Sequence, residues 1–229
     1  MTTRLAPSFS TPPVPARVLD LGRREFSEAL TLQRELVGAR QRNEIPDTLL
    51  LVEHPDVITL GRGTHKENLV APGGIPIFEI ERGGDVTYHG PGQLVGYPIL
   101  QLTGDERDLH KYLRDLEEAM ILALADLGLP AGRRTSWTGV WTAREPQAKL
   151  ASIGVAVKKW VTLHGFALNV STDLAKFAAI NPCGLDAAVM TSVSAALGRR
   201  VELAEVSAPL VRHLGQIMNR DFTAGSSPA

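Results

Sequence analysis

The sequence predicts a mixed β-sheet flanked by helices, which is an α/β fold in the broad sense or α+β in a stricter classification. Apolar strand-like runs occur in clusters with only a few amphipathic helical segments between them, and this disfavours a regular doubly wound fold. The composition, 44% hydrophobic and 21% charged over 229 residues, is typical of a globular protein with a sizeable core. We therefore expect a single domain over residues 18–220.

The first half of the chain alternates helical and strand-like patterns after an N-terminal tail. Residues 1–17 are rich in Pro, Ser and Thr and are expected to be disordered. Apolar residues recur at helical spacing over 24–42, and Pro46 ends that pattern. Pro98 interrupts the apolar run over 94–102, which indicates an edge strand or a bulge. Strands are predicted over 18–21, 48–52, 57–60, 75–80 and 94–102.

The clearest helical pattern of the sequence covers residues 108–127. Its apolar residues form one stripe, and Gly128 stands where a helix C-cap is expected. Lys158 and Lys159 form a charged tip between two predicted strands. From residue 221 to residue 229 the chain is expected to be a frayed tail. Further strands are predicted over 137–142, 150–157 and 161–170, and further helices over 173–179 and 202–218.

The charge and the cysteine count narrow the class of protein. The net charge of −1, from 24 basic and 25 acidic residues, gives no general attraction to nucleic acid or to a membrane surface. No apolar run approaches the length of about 18 residues that a membrane span needs, and no secretory signal is visible. Cys183 is the single cysteine, so an intrachain disulfide is excluded. These features predict a cytoplasmic protein.

Residues 82–93 concentrate four glycines, a proline, a histidine and an arginine between two strand-like runs. Glycine costs backbone entropy on folding, so such a density needs a reason. One reason is a tight turn, and the other is a backbone wall against which a ligand lies. The composition of the stretch leaves both alternatives open.

Cys183 and Lys149 are the candidates for chemistry. The cysteine stands in Asn-Pro-Cys-Gly, which places its thiol on a loop, although a lone cysteine is more often a small buried hydrophobe. Lys149 opens a strand of small apolar residues. It is either a solvated lysine at a strand end or a partly desolvated lysine whose lowered pKa suits a base. A reactive Cys183 needs such a partner to raise its thiolate fraction, but spacing alone does not bring the two together.

The six histidines show no metal-ligand spacing, and no Cys/His cluster, credible carboxylate pair or phosphate-binding glycine motif occurs. His54, His65 and His110 are expected at the surface. His89 and His164 each adjoin a glycine, and each is either a structural or a functional histidine.

Four short motifs stand in order along the chain. They are Arg82-Gly83-Gly84 with Thr87-Tyr88-His89-Gly90-Pro91-Gly92-Gln93, Lys149 with Ala151-Ser152-Ile153-Gly154, His164-Gly165 with Ala167-Leu168-Asn169, and Pro182-Cys183-Gly184. In order and spacing they resemble the octanoyltransferases of lipoate biosynthesis, relatives of the lipoate ligases and biotin protein ligases. The likeness runs from about residue 18 to residue 214, and no motif position departs from the family pattern. Each motif alone is modest, but four in register are specific.

The resemblance implies transfer of an octanoyl group from octanoyl-acyl carrier protein to a lysine ε-amine on lipoyl domains of 2-oxoacid dehydrogenase and glycine cleavage proteins. It also implies the lipoate ligase/biotin protein ligase catalytic fold, an acyl-thioester nucleophile at Cys183, and Lys149 as the group that lowers the pKa of that thiol and relays protons. Because the donor is already a thioester, no ATP, other cofactor or metal is expected. The implied substrate-binding residues are Arg82, Gly83, Gly84, Asp85, Val86, Thr87, Tyr88, His89, Ser152, Ile153, Gly154, Gly165, Phe166 and Ala167.

Two alternatives accompany this interpretation. An ATP-dependent lipoate or biotin ligase of the same fold must hold an adenylate and does not need a cysteine nucleophile, so the intact Pro-Cys-Gly favours the transferase. A non-catalytic acyl-binding relative would give Cys183 and Lys149 no reason to be reactive. In the transferase interpretation, residues 82–93 form one side of an acyl tunnel.

Overall fold

The computed structural model describes residue 9 and residues 11–225, and for Cys183 it describes the backbone without the side chain. Within these residues an eight-stranded mixed sheet is joined by a three-stranded sheet and four α-helices. The strands are β1 (Val14–Arg23), β2 (Asp47–Glu53), β3 (Val57–Leu60), β4 (Ile77–Glu79), β5 (Val86–His89), β6 (Gln93–Ile99), β7 (Ala131–Arg134), β8 (Trp137–Thr142), β9 (Lys149–Lys158), β10 (Val161–Asn169) and β11 (Arg220–Ala224). The helices are α1 (Phe26–Gln41), α2 (Leu109–Asp126), α3 (Val193–Leu197) and α4 (Leu203–Met218).

The large sheet has the strand order β11-β1-β2-β6-β10-β9-β8-β7, and the small sheet has the order β4-β3-β5. β1 pairs in parallel with β2 and β11, whereas every other pairing in the large sheet is antiparallel. The predicted fold class, a mixed sheet flanked by helices, is confirmed.

Helices cover both faces of the large sheet. Because successive side chains of a strand point to opposite faces, Leu49 and Leu51 of β2 pack with α2 and α4, whereas Leu50 and Val52 pack with α1. Asp108 caps α2 by accepting hydrogen bonds from the main-chain N–H groups of the first turn. The sheet is therefore buried on both sides, which agrees with the burial of every residue of β10 and of all but the last residue of β2.

Pro98 lies inside a central strand, so of the two settings expected for it, an edge strand or a bulge, the edge strand is wrong. β6 pairs with β2 on one side and β10 on the other, and the pairing with β10 stops at Gly96 opposite Phe166. The pairing resumes at Gln101 opposite Val161 in the same register. The missing N–H of proline is thus accommodated by a local gap in the ladder.

The chain ends are more ordered than expected. β11 pairs with β1 over residues where a C-terminal tail was expected to start at Asp221, and β1 begins at Val14 inside the expected N-terminal tail. Of the remaining residues in the two expected tails, residues 9, 11–13 and 225 are described. Residues 1–8, 10 and 226–229 lie outside the described residues. β7, α3 and β5 were not predicted. No helix in the described residues is long and apolar enough to span a membrane.

Candidate active site

A cavity of about 310 Å³ lies beside the centre of the large sheet, a volume in the range of small-molecule sites. One side consists of residues 149–155 of β9 and residues 164–167 of β10, and we call it the sheet wall. The other side consists of residues 80–89, which include β5, and we call it the loop wall. Side chains from α1, β6, α2 and β8 complete the lining.

The sheet wall is assembled from main-chain pairing. Gly154 lies opposite Gly165 and Ile153 opposite Phe166 in the antiparallel register of β9 and β10. A Cβ on Gly165 would lie 2.1 Å from the carbonyl oxygen of Gly96, and a Cβ on Gly96 would lie 2.0 Å from the Phe166 ring. Glycine at residue 96 therefore leaves room for the Phe166 ring, and glycine at residue 165 allows the close approach of the Gly96 carbonyl.

The loop wall is fixed by two buried side chains. Arg82 donates through Nη2 to the carbonyl oxygen of Thr59 at 2.7 Å and to its hydroxyl at 3.1 Å. Asp85 accepts hydrogen bonds from the main-chain N–H of Val86 at 2.7 Å and from Asn68 Nδ2 at 2.5 Å. These bonds hold a glycine-rich segment that has little regular structure of its own.

The two walls meet at one point. The Gly83 N–H donates to the Val155 carbonyl at 2.9 Å. A Cβ on Gly154 would lie 2.8 Å from Arg82 Cδ and 3.1 Å from the Gly83 carbonyl oxygen. The missing side chain at Gly154 therefore allows the loop wall to rest directly on the sheet wall.

Buried aromatic and imidazole rings lie at the side of the cavity nearest α1. Phe26 stacks on His89 with ring centroids 6.2 Å apart, and His54 Nε2 lies 2.8 Å from the Tyr97 hydroxyl. Burial lowers the pKa of His54 to about 4 and that of His89 to about 3, so both rings are neutral at pH 7. The surface position expected for His54 is wrong, because its side chain is buried beneath this cluster.

His164 is a buried cavity residue with unusual backbone geometry. Its φ of 57° lies in the left-handed region, and its N–H donates to Oε1 of the buried Gln33 at 2.9 Å. Burial lowers the pKa of its ring to about 4, even though Glu81 lies 3.6 Å away. His89 and His164 thus add polar atoms to the cavity without adding charge at neutral pH.

Lys149 is almost completely buried, with 2% of its surface exposed. It begins β9, its carbonyl accepts a hydrogen bond from the Thr191 N–H at 3.0 Å, and its side chain lines the cavity. Its Nζ lies 5.6 Å from the centroid of the Trp141 ring. Two alternatives were open for this residue, a solvated lysine at a strand end and a partly desolvated lysine. Its burial excludes the solvated lysine.

The backbone of Cys183 lies in a single 3₁₀ turn, Pro182–Gly184, that is connected to the loop wall. The N–H of Asn181, two residues earlier, donates to the Asn68 carbonyl at 2.8 Å. The side chain of Asn68 in turn donates to Asp85. Asp85 therefore orders the loop wall and the cysteine turn together.

Of the predicted residues whose side chains the structure describes, all but one line the cavity, and the side chain of Cys183 lies outside the described part of the chain. Tyr88 does not line the cavity, because its side chain lies on the opposite side of β5, where its hydroxyl donates to Asp56 Oδ1 at 2.9 Å. Several residues that line the cavity were not predicted from the sequence. They belong to helices and strands in which the sequence pattern does not distinguish a cavity position from an ordinary core position. These residues are Phe26, Ile80, Val95, Tyr97, Leu109, Leu113, Trp137 and Thr138. The predicted residues that line it are Arg82, Gly83, Gly84, Asp85, Val86, Thr87, His89, Lys149, Ser152, Ile153, Gly154, Gly165, Phe166 and Ala167.

This geometry suits one kind of ligand. The lining is mainly apolar, its histidines are neutral, and a buried amine stands at one end of the sheet wall. Since residues 149 and 155 are six positions apart on one strand, the sheet wall is about 20 Å long. A thin apolar chain with a reactive end group fits such a space.

Comparisons with known proteins agree with this picture. Residues 25–215 match the family model described as the lipoyl protein ligase A/B catalytic domain. An octanoyltransferase of Geobacter metallireducens is 53% identical over 82% of this chain and 87% of its own length. An octanoyltransferase of Solibacter usitatus is 51% identical over 91% of this chain and 96% of its own length.

Solved structures of the same fold include a putative lipoate protein ligase from T. acidophilum with bound lipoic acid. It has a TM-score of 0.75 at 20% identity and covers 93% of this chain and 90% of its own. Lipoate-protein ligase A bound with ATP has a TM-score of 0.70 at 20% identity and covers 94% of this chain and 90% of its own. Biotin protein ligase from Aquifex aeolicus has a TM-score of 0.52 at 12% identity and covers 89% of this chain and 68% of its own. At these identities the likeness shows the fold alone.

Proposed function

Since the chain belongs to the lipoyl protein ligase A/B catalytic-domain family and is an acyltransferase that moves octanoyl groups in protein lipoylation, we propose the following reaction for it. The octanoyl group comes from octanoyl-acyl carrier protein, passes to Cys183, and ends on the ε-amine of a lipoyl-domain lysine. The acceptors are lipoyl domains of 2-oxoacid dehydrogenase and glycine cleavage proteins.

The observation that carries the proposal is the burial of Lys149 in a mainly apolar cavity. An amine inside such a cavity can accept and release a proton during a reaction. The turn that carries Cys183 is connected to the loop wall of the same cavity through Asn68. A base and a nucleophile would therefore serve one acyl-binding space.

The proposed reaction has two half-reactions. In the first, Lys149 takes the proton of the Cys183 thiol, and the thiolate attacks the thioester carbonyl of the donor. The C–S bond to the carrier breaks, and the carrier leaves as a thiol that regains the proton from Lys149. Because one thioester replaces another, this step is nearly isoenergetic and needs no ATP.

In the second half-reaction the acceptor amine attacks the Cys183 thioester. Lys149 takes a proton from that amine, the C–S bond breaks, and the thiolate leaving group regains the proton while an amide forms. Main-chain N–H groups beside glycines of the cysteine turn or the loop wall would stabilise the two tetrahedral oxyanions. The sheet wall and the loop wall would hold the hydrocarbon chain during both steps.

An ATP-dependent ligase of the same fold is the alternative. A solved structure of the same fold, lipoate-protein ligase A, is bound with ATP, so whether the present chain uses ATP has to be tested. ATP–pyrophosphate exchange with octanoate or lipoate decides it, because a transferase without an adenylate step gives no exchange. Exchange at a rate comparable with acyl transfer overturns the ATP-independent reaction.

Intact-protein mass spectrometry after incubation with octanoyl-acyl carrier protein tests the reaction itself. We expect a mass gain of one octanoyl group that is absent from Cys183→Ser and formed at least about 100-fold more slowly in Lys149→Ala. Lys158→Ala is the matched control, because Lys158 stands at the other end of β9 and is half exposed. Folded wild-type protein without an adduct, or an adduct that survives Cys183→Ser, overturns the proposal.

A further inference from the structure

We propose that Trp141 is a positioning residue for the Lys149 amine and acts on it through the face of its indole ring. The proposal rests on the role of Lys149 proposed above. Trp141 is fully buried in β8, the strand beside β9, and does not belong to any of the motifs that define the candidate site.

An irregularity in the sheet brings the two side chains together. β8 and β9 pair Val140 with Ala151 but Trp141 with Lys149, so Leu150 is an extra residue on β9. A bulge of this kind re-aims the side chains next to it. Here its result is that Lys149 is the direct cross-strand partner of Trp141, with Nζ 5.6 Å from the ring centroid.

The space for the lysine side chain is provided by Gly139. Its φ is 129°, and a Cβ on it would lie 2.9 Å from Lys149 Cε. Its N–H donates to Oε1 of the buried Glu117 at 2.9 Å, and Glu117 is also held by Arg133 Nε at 2.8 Å. α2 thus fixes the part of β8 along which the lysine side chain runs.

The face of the indole is the part of Trp141 that meets cations. Its Nε1 has no hydrogen-bond partner within the described residues, so the ring is not oriented by that group. Arg134 of β7 lies 4.9 Å from the same ring centroid, so cations approach Trp141 from both neighbouring strands. The negative face of an indole attracts an ammonium within about 6 Å. Trp141 would therefore stabilise Lys149 in the state it enters after taking a proton, and would hold Nζ in one place.

Single-turnover acylation of Cys183 by an octanoyl thioester donor tests this inference. We expect Trp141→Met to slow acylation about tenfold and Trp141→Phe, which keeps a ring face, to slow it about threefold or less. In the Lys149→Ala background, Trp141→Met should slow acylation no further. Trp160→Leu is the matched control, because Trp160 contacts Arg107 in a similar way at 5.7 Å but lies in the turn after β9.

The outcomes separate this inference from the function on which it rests. If Lys149→Ala acylates at the wild-type rate, the role of Lys149 fails, and the inference fails with it. If Lys149→Ala is slow but Trp141→Met has the same effect in both backgrounds, the inference alone is overturned. Fluorinated tryptophans placed at residue 141 cover the case in which Trp141→Met does not fold. They weaken the ring face while keeping its shape, so a rate that falls with each added fluorine supports the inference and a constant rate overturns it.

Discussion

The sheet wall and the loop wall face each other across the cavity, but different interactions hold them in place. β9 and β10 of the sheet wall are joined by a continuous antiparallel ladder from Val161–Lys158 to Leu168–Ala151. The loop wall has the short strand β5 at one end, and its remainder is held by isolated main-chain hydrogen bonds, such as that from the Gly63 N–H to the Gly84 carbonyl at 3.0 Å, together with the side chains of Arg82 and Asp85. One wall is thus built by a continuous backbone ladder, whereas the other combines isolated main-chain hydrogen bonds with two buried polar side chains.

This difference predicts opposite sensitivities to mutation. Removing a side chain from the sheet wall leaves its ladder intact, whereas adding a Cβ obstructs a close approach. In the loop wall, removing a polar side chain leaves buried groups without their hydrogen-bond partners, namely acceptors at Thr59 for Arg82 and N–H donors at Val86 and Asn68 for Asp85, which is costly. The predictions below run from the largest expected effect to the smallest.

Arg82→Ala should have the largest effect, because the Thr59 carbonyl and hydroxyl both lose a charged donor in a buried setting. We expect the free energy of unfolding to fall by about 4 kcal/mol and octanoyl transfer to fall at least about tenfold. Urea unfolding and initial rates measure the two effects. Arg62→Ala is the control, since Arg62 contacts the same region from an exposed position. Equal losses in the two variants would contradict the account of the loop wall.

Acid should weaken both walls, because each contains a buried neutral histidine. Burial lowers the pKa from the ordinary value of 6.5 to about 3 for His89 and to about 4 for His164 and for His54 beneath them. Between pH 6.5 and 4 the unfolded chain binds more protons than the folded one, so stability is full above pH 6.5 and falls as the pH falls. We expect a loss of about 3.5 kcal/mol between pH 7 and pH 5.5, a pH range above the pKa values of ordinary carboxylates.

Urea unfolding at pH 7, 6 and 5.5 checks this expectation. Replacing the exposed His65 and His110 together by Gln should leave the loss in place. A free energy of unfolding that stays constant from pH 7 to pH 5.5 is incompatible with neutral buried histidines in the walls.

Gly154→Ala should push the walls apart where they meet. Its Cβ would have to displace the Arg82 stem and the Gly83 carbonyl, which lie 2.8 and 3.1 Å from it. We expect a loss of about 2 kcal/mol in the free energy of unfolding. Gly132→Ala is the matched control, because a Cβ on Gly132 meets no atom within 4 Å. A stable Gly154→Ala protein with unchanged acylation would show that the walls do not touch.

Ser152→Ala should have the smallest effect on stability. Ser152 lies on the sheet wall opposite Ala167, and its hydroxyl makes no hydrogen bond within the described residues. We expect a change in the free energy of unfolding of no more than about 0.5 kcal/mol. A loss above 2 kcal/mol in thermal or urea unfolding would show that side chains hold the sheet wall as well.

The sequence predicted those parts of the fold that produce a local periodicity or a motif. The α2 stripe and the strands at 57–60 and 137–142 were found because their patterns are local. β11 was missed because the strand with which it pairs, β1, lies some two hundred residues away in the chain. Pro98 was misplaced because a gap in a central ladder has no sequence signal beyond the proline itself.

The candidate site was predicted to the extent that its residues stand in motifs. Lys149 and the glycines of both walls were identified this way, and they line the cavity. His54 was missed because it follows β2 in a polar segment and becomes buried only when Tyr97 packs over it. Leu109 and Leu113 belong to the α2 stripe, and nothing in a helical period separates cavity positions from core positions.

The central claim is that the octanoyl chain lies between the two walls. A crystal structure of the octanoylated protein tests it most directly. The account predicts density for an eight-carbon chain that continues from Cys183 and lies in the cavity between the loop wall and the sheet wall, in contact with Phe166. An octanoyl chain bound outside this cavity, with the walls unoccupied, would contradict the account.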